Sequence, residues 1–274
     1  MAWGTLDRAV DAWQIGPVDL AGSKLVTGSL VAPPLANPST ESSTEPLTPA
    51  PLTPASSTPA PLTAAPGVQH RANRASRVVK ATLDAMLAAI LLVLVSPLLL
   101  VLMIVVRLDS PGSALFRQVR VGKDGRQFEV LKLRTMVSNA EDLKASLLAA
   151  NECDGGVLFK IKQDPRITRV GGLLRRSSLD ELPQLLNVLR GEMSLVGPRP
   201  ALPDEVAVMD DDALRRFTVR PGMTGLWQIS GRSNLAWSEA RAFDTYYADN
   251  WTVLGDFAIL LRTAKAVLTA DGAC

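Results

Sequence analysis

The side chains best suited to chemistry in this 274-residue sequence lie between Arg175 and Pro200, in RRSSLDELPQLLNVLRGEMSLVGPRP. Asp180 and Glu181 are adjacent carboxylates, with Arg175 and Arg176 ahead of them and Arg199 behind. Ser178 stands three residues before Glu181, which is the spacing of a helix capping box. Pro183 weakens that reading, because in a helix capped at Ser178 it falls beyond the first turn and deletes an internal hydrogen bond. A helix starting near Pro183 instead places both acids at its mouth, where anions are favoured. Paired carboxylates with arginines able to neutralise phosphate point to phosphoryl chemistry assisted by a divalent cation.

Other segments add anion-binding candidates. From Arg107 to Met136 there are seven basic residues against Asp109, Asp124 and Glu129. Lys132 and Arg134 alternate with apolar residues on a predicted strand, so they face one side together. They read either as phosphate ligands or as a solvated face near anionic lipid. In RPGMTGLWQISGRS, from Arg220 to Ser233, glycines and a proline force an irregular loop, with Gln228 and Arg232 as donors for a phosphate or a base. Asp210-Asp211-Asp212 invites a metal-binding comparison, but reads equally as the acidic start of a helix.

Several function classes drop out. The single histidine, His70, lies at the end of a low-complexity run, which removes histidine-based triads and metal sites. Cys153 and Cys274 are too few for a disulfide framework or a cysteine zinc site. Neither a P-loop nor a dinucleotide-binding glycine motif occurs. Lys+Arg 29 against Asp+Glu 27 gives a net charge of +2, which offers no basis for generic nucleic-acid binding.

The elements that must position these residues read in three parts. Residues 1–70 form a Pro/Thr/Ala-rich tail, with ten prolines between Pro33 and Pro66, and are expected to be disordered. Residues 71–107 hold a basic flank and a membrane helix. Ala85 to Val106 is 22 residues without a charge; at about 33 Å as a helix it matches a hydrocarbon core of about 30 Å. Ser96-Pro97 near its midpoint predicts a kink. Basic residues on both flanks fit a helix that enters, bends and leaves on one face, while an ordinary kinked span stays open. Residues 108–274 read as an α+β domain of small sheets and helices, with a hairpin at Lys123-Asp124-Gly125, a helix in AEDLKASLLAA and amphipathic, interfacial helices from Ala236 to about Leu268.

Four motifs in this order carry a family resemblance: FRQVRVGKDGRQFEVLKLRTM, SLDELPQLLNVLRGEMSLVGPRP, PGMTGLWQISGRS and FDTYYADNWTVLGDFAILLRTAKAVL. Together with the apolar run they make the chain, from about Arg77 onward, similar to the bacterial sugar transferases, the polyprenyl-phosphate sugar-1-phosphate transferases. The resemblance implies transfer of a hexose-1-phosphate from a UDP-sugar to undecaprenyl or another polyprenyl phosphate, releasing UMP and initiating exopolysaccharide or other surface-glycan synthesis. It implies Asp180 as the nucleophile forming a phosphosugar-aspartyl intermediate. It implies Glu181, with Asp180, as the ligand of Mg²⁺, and Lys132, Arg134, Arg175, Arg199, Gln228 and Arg232 as phosphate and nucleotide contacts. It favours the re-entrant helix and a catalytic domain on the cytosolic face of the inner membrane. A homodimer is left open. Larger members carry membrane helices and a further soluble domain where this sequence has its proline-rich tail.

Overall fold

The computed structural model describes residues 73–147, 161, 164–230 and 237–269. The tail at 1–70, both cysteines, His70 and Arg232 lie outside the described residues. Helix α1, Arg74–Asp109, contains the whole apolar run. Asn73 starts it, its side chain accepting from the Ser76 N–H at 2.8 Å. Proline at position 97 leaves the Val93 carbonyl without its usual N–H donor, and the Ser96 hydroxyl donates to that carbonyl at 2.9 Å. Met86, Ile90, Val93, Leu94, Leu98, Leu100, Val101 and Ile104 are exposed, and only Asp84, Ala88 and Val106 of α1 are buried. Among the described residues this is the one helix long and apolar enough to cross a membrane.

Both halves of α1 nevertheless pack against one domain. Ala88, with Leu91, Leu92 and Val95, joins a core built from Val130, Leu185, Val188, Met193, Leu195, Tyr247, Trp251 and Ile259. Val106, with Leu99, Leu102 and Met103, joins Ala114, Leu133 and Leu174.

The domain begins with the expected hairpin. Strands β1 (Leu115–Val121) and β2 (Gln127–Leu133) pair antiparallel, from Leu115↔Leu133 to Val121↔Gln127. Asp124 at φ 56° and Gly125 at φ 76° make the left-handed turn that brings the strands back together. Helices α2 (Ala140–Ser146), α3 (Arg169–Arg176) and α4 (Leu185–Leu189) follow, with a 3₁₀ turn at Leu179–Gln184 between α3 and α4. A second small sheet pairs β3 (Ser194–Val196) parallel with β4 (Gly222–Thr224). Between them lie α5 (Pro203–Ala207) and α6 (Asp211–Leu214). A Cβ at Gly222 would collide with the backbone of Gly197, so this close approach requires glycine. The chain ends in α7 (Leu226–Ser230), α8 (Trp237–Asn250) and α9 (Val253–Thr269). The fold is therefore helix-rich with two small sheets. The aromatic C-terminal helices contribute to the core on one side. Ile259 is buried in the core, while Leu254, Phe257 and Leu261 form an exposed apolar stripe.

Asn187 joins the two halves of the domain. It is fully buried and accepts from the Leu131 N–H at 3.1 Å, while its amide nitrogen donates to the Glu129 carbonyl and to Glu192, each at 2.7 Å. Asn187→Ala strands the buried edge of β2, and unmet polar groups of this kind cost roughly 1–3 kcal/mol each. The variant is expected to unfold several degrees below the parent protein in a detergent-solubilised thermal melt; an unchanged midpoint would show that β2 does not depend on this residue.

Candidate active site

The acid pair is presented by a break between two helices. Thr168 caps α3, its hydroxyl accepting from the Gly171 N–H at 2.9 Å. Gly171 lies so close to the Thr135 carbonyl that any side chain would clash, which seats α3 against the end of β2. The chain then turns at Ser178, which adopts φ 56° and ψ 18°, a left-handed conformation disfavoured by roughly 1 kcal/mol or more outside glycine. Ser178 makes no side-chain cap bond, so the capping box is not formed. Instead Asp180 and Glu181 occupy the 3₁₀ turn, Pro183 lies inside it, and the regular helix begins at Leu185, as expected for a helix starting near Pro183. Helix α4 has only five residues, so side-chain cations supply the positive potential here.

Asp180 points inward and is 8% exposed. Burial pushes its carboxyl up to about 6; neighbouring Glu181 adds to the rise, while Lys132 and Arg175 oppose it. Glu181 is more open and accepts from the Lys132 ammonium at 2.7 Å. Arg175 Nε donates to the Thr135 hydroxyl at 3.0 Å. Arg199 is held by the fully buried carboxylate of Glu205 at 3.1 and 3.2 Å, and that carboxylate also accepts from the Leu202 N–H at 2.8 Å. Lys132 and Arg175 are thus brought to the acid pair from β2 and α3.

Arg120 was not singled out from the sequence. It donates to the Pro200 carbonyl at 3.0 Å and to Gln118 Oε1 at 2.6 and 3.1 Å. Burial lowers its pKa to about 10; the nearby Arg199 guanidinium lowers it further, while Glu205 and Glu181 raise it. Arg120 therefore sits within the field of Glu181 and beside Arg199. Hairpin register was the available signal: Phe116 pairs with Lys132, so Gln118 and Arg120, two and four residues on, share the Lys132 face. Glu205 carried no such signal, being far from the acid pair in sequence.

Other candidates fall elsewhere. Arg134 is buried just past β2 and donates to the Pro111 carbonyl at 2.7 Å and the Ser110 carbonyl at 2.6 Å, so it clamps the turn after α1 instead of facing Glu181 beside Lys132. Gln228 lies on α7 against Gly225, which itself abuts the Gly197 carbonyl two residues before Arg199. Asp210 caps α6, its carboxylate accepting from the Ala213 N–H at 2.8 Å, and Asp212 stands 3.8 Å from Arg215. The acidic triplet is a helix start. Among the described residues no three His, Cys, Asp or Glu side chains gather as a metal site.

The raised Asp180 pKa has a stability consequence. The folded protein holds the Asp180 proton more tightly than the unfolded chain does, so stability falls as pH rises from 3.8 to about 6. Removing the charge with Asp180→Asn is expected to stabilise the protein at pH 7 by on the order of 2–3 kcal/mol. The gain should vanish below about pH 4. Paired melts across that range in chelator-containing buffer check both the sign and the window.

Comparison with known proteins identifies the family of the chain that carries this site. A model of the family described as bacterial sugar transferase matches residues 75–270. The chain is 45% identical over 205 residues to the undecaprenyl-phosphate galactose phosphotransferase of Salmonella typhimurium, covering 74% of this chain and 43% of that protein. It is 41% identical over 198 residues to the exopolysaccharide production protein ExoY of Rhizobium meliloti, covering 71% and 88%. It is 43% identical over 202 residues to the UDP-glucose:undecaprenyl-phosphate glucose-1-phosphate transferase of Caulobacter vibrioides, covering 71% of each. The chain thus spans less than half the length of the Salmonella relative. A match running from the first turn of α1 to the end of α9, through the acid pair and its cations, means that this chain belongs to the bacterial sugar transferase family.

Proposed function

We propose that the protein transfers a hexose-1-phosphate from a UDP-sugar to undecaprenyl phosphate or a related polyprenyl phosphate, releasing UMP and starting a surface glycan such as an exopolysaccharide. The observation that carries this reading is the buried Asp180 carboxylate, next to Glu181 and within the field of Lys132 and Arg175. The names of the Salmonella and Caulobacter relatives support the choice of lipid, and that of the Caulobacter relative supports a UDP-sugar as donor.

In the first step Asp180 Oδ attacks the sugar-linked phosphorus and the bond from that phosphorus to the bridging oxygen breaks. UMP departs with the electron pair, leaving the sugar phosphate esterified to Asp180. In the second step an oxygen of the polyprenyl phosphate attacks the same phosphorus, and the Asp180 carboxylate leaves. Both approaches bring anion to anion, so the site must cancel charge before phosphorus can move. Lys132, Arg120, Arg175 and Arg199 would do this from four different segments, and Gln228 and Arg232 would contact the nucleotide. Glu181, with Asp180, would hold Mg²⁺: hard carboxylate oxygens fit that ion, and two protein ligands leave room for substrate phosphates. Bound there, Mg²⁺ would supply charge neutralisation on the phosphate oxygens. Incubation of UDP-glucose or UDP-galactose with membranes containing undecaprenyl phosphate should release UMP and label the lipid. Asp180→Asn should reduce turnover by several orders of magnitude, since it removes the nucleophile. Release of UDP, or a near-normal rate in the variant, would refute the reading.

The packing of α1 also favours a re-entrant anchor. A straight span would carry residues near Asp84 and Val106 about 33 Å apart across the bilayer. One domain packs against both regions, and a span would drag its polar surface into hydrocarbon. Entry and exit on one face, with Ser96-Pro97 at the turning point, avoids that cost; a nucleotide-sugar donor made in the cytosol supports the cytosolic side of the inner membrane as that face. Arg74→Cys and Asp109→Cys, each in a background lacking Cys153 and Cys274, should both react with a membrane-impermeant maleimide added to inside-out vesicles. Reaction of one site only from each side would establish a span.

A further inference from the structure

A cavity of about 270 Å³ opens at the polar end of α1, away from the acid pair. Its walls come from the first turns of α1, the tip of the hairpin, the start of β3, residues 218–220 and the end of α8. Four cations line it, Arg77, Lys80, Lys123 and Arg220, against one carboxylate, Asp84. That carboxylate is already occupied: Asp84 accepts from the Ser194 hydroxyl at 2.6 Å and stands 3.6 Å from Lys80. Lys80 is further engaged by Asp256. Among the described residues Lys123 reaches only the exposed Asp124, at 4.0 Å. Arg77 and Arg220 meet no carboxylate at ion-pair distance among the described residues. The cavity thus presents two arginines with no carboxylate at ion-pair distance among the described residues and a lysine paired only loosely with an exposed acid, an arrangement that suits a phosphate group.

We propose that this cavity binds the headgroup phosphate of an anionic glycerophospholipid at a site separate from the Asp180–Glu181 centre. The proposal rests on the reading that α1 enters the membrane. The headgroup layer is roughly 5–7 Å deep on each face, and the α1 residues lining the cavity end at Asp84, one residue before the uncharged run begins. The cavity mouth therefore lies at headgroup level. Val79, Leu83, Met86 and Ile90, spaced three and four apart, form an exposed apolar stripe that leads from that level toward the membrane interior. A phosphate held by Arg77, Lys123 and Arg220 would leave its acyl chains in the hydrocarbon beneath the cavity mouth, while the stripe meets lipid on the opposite face of α1. Such a lipid would fasten the amino-terminal half of α1 and the hairpin tip at one depth.

The test uses the full chain in nanodiscs of mixed phosphatidylglycerol and phosphatidylcholine, with lipid retained after mild detergent extraction counted by native mass spectrometry. Phosphatidylglycerol should be retained in preference to phosphatidylcholine. The Lys123→Gln/Arg220→Gln double variant should lose that preference by roughly tenfold or more, since it removes two charge-assisted donors. Equal preference in parent and variant overturns the site. Release of the retained lipid by inorganic phosphate as completely as by added phosphatidylglycerol shows a site for bare phosphate and overturns the lipid assignment. Release by undecaprenyl phosphate alone reassigns the cavity to the acceptor substrate. Carbonate extraction separates the two readings. A chain stripped from membranes refutes insertion itself, whereas a chain that stays but shows no lipid preference refutes only the cavity site.

Discussion

An ionised carboxylate away from bulk water persists only where cations stand close enough to replace its hydration, and this constraint organises the domain around Asp180. Its neighbours come from separate elements: Lys132 from β2 and Arg175 from the end of α3, with Glu181 alongside in the same 3₁₀ turn. Each must be delivered to within a few ångströms. The glycine contact at Gly171, the left-handed Ser178 and the Asn187 bridge all serve that delivery. Weakening any of them moves a cation or the acid, and the remaining charge becomes more costly to bury.

The arginines divide into those that face the site and those that hold structure. Arg199 and Arg120 lie close enough to lower the pKa of Arg120, a repulsion tolerated because Glu205 and Glu181 stand opposite. Two crowded guanidiniums favour an incoming anion more than either alone, which suits a diphosphate donor. Arg216 lies behind them, fully buried, bonding Asp244 and the Arg199 carbonyl, so it supports the loop that carries Arg199. Arg134 is likewise spent on backbone carbonyls.

The amino-terminal part of α1 is fastened by a compact polar network. Lys80 donates to the Val196 carbonyl at 3.1 Å and pairs with Asp256, whose other oxygen accepts from Tyr247 at 2.6 Å. Burial and the Asp256 charge push the Tyr247 hydroxyl well above its usual pKa, so it remains a donor. Removing one member of such a buried set leaves the others unpaired, which makes the joint between helix and domain intolerant of change. That rigidity links α1 directly to β3, and β3 leads into the Arg199 loop.

Local chemistry made much of this readable in advance. Period-2 alternation around Lys123-Asp124-Gly125 specified the hairpin, because only a turn with positive φ closes two twisted strands so tightly. An uncharged run of 22 residues specified α1, and adjacent Asp180 and Glu181 with flanking arginines marked the candidate site. These features depend on neighbours in the chain. The roles of Arg120 and Arg134 depend on partners many residues distant, and the two carry charges that look alike in sequence. Whether a guanidinium clamps a turn or meets the acid pair follows from strand register, from helix ends and from which polar groups burial leaves needing a donor. Those conditions exist only once the chain is folded, so the sequence by itself determined the elements and the chemical type of the candidate site, while the tertiary structure decided which cations stand beside the acid pair.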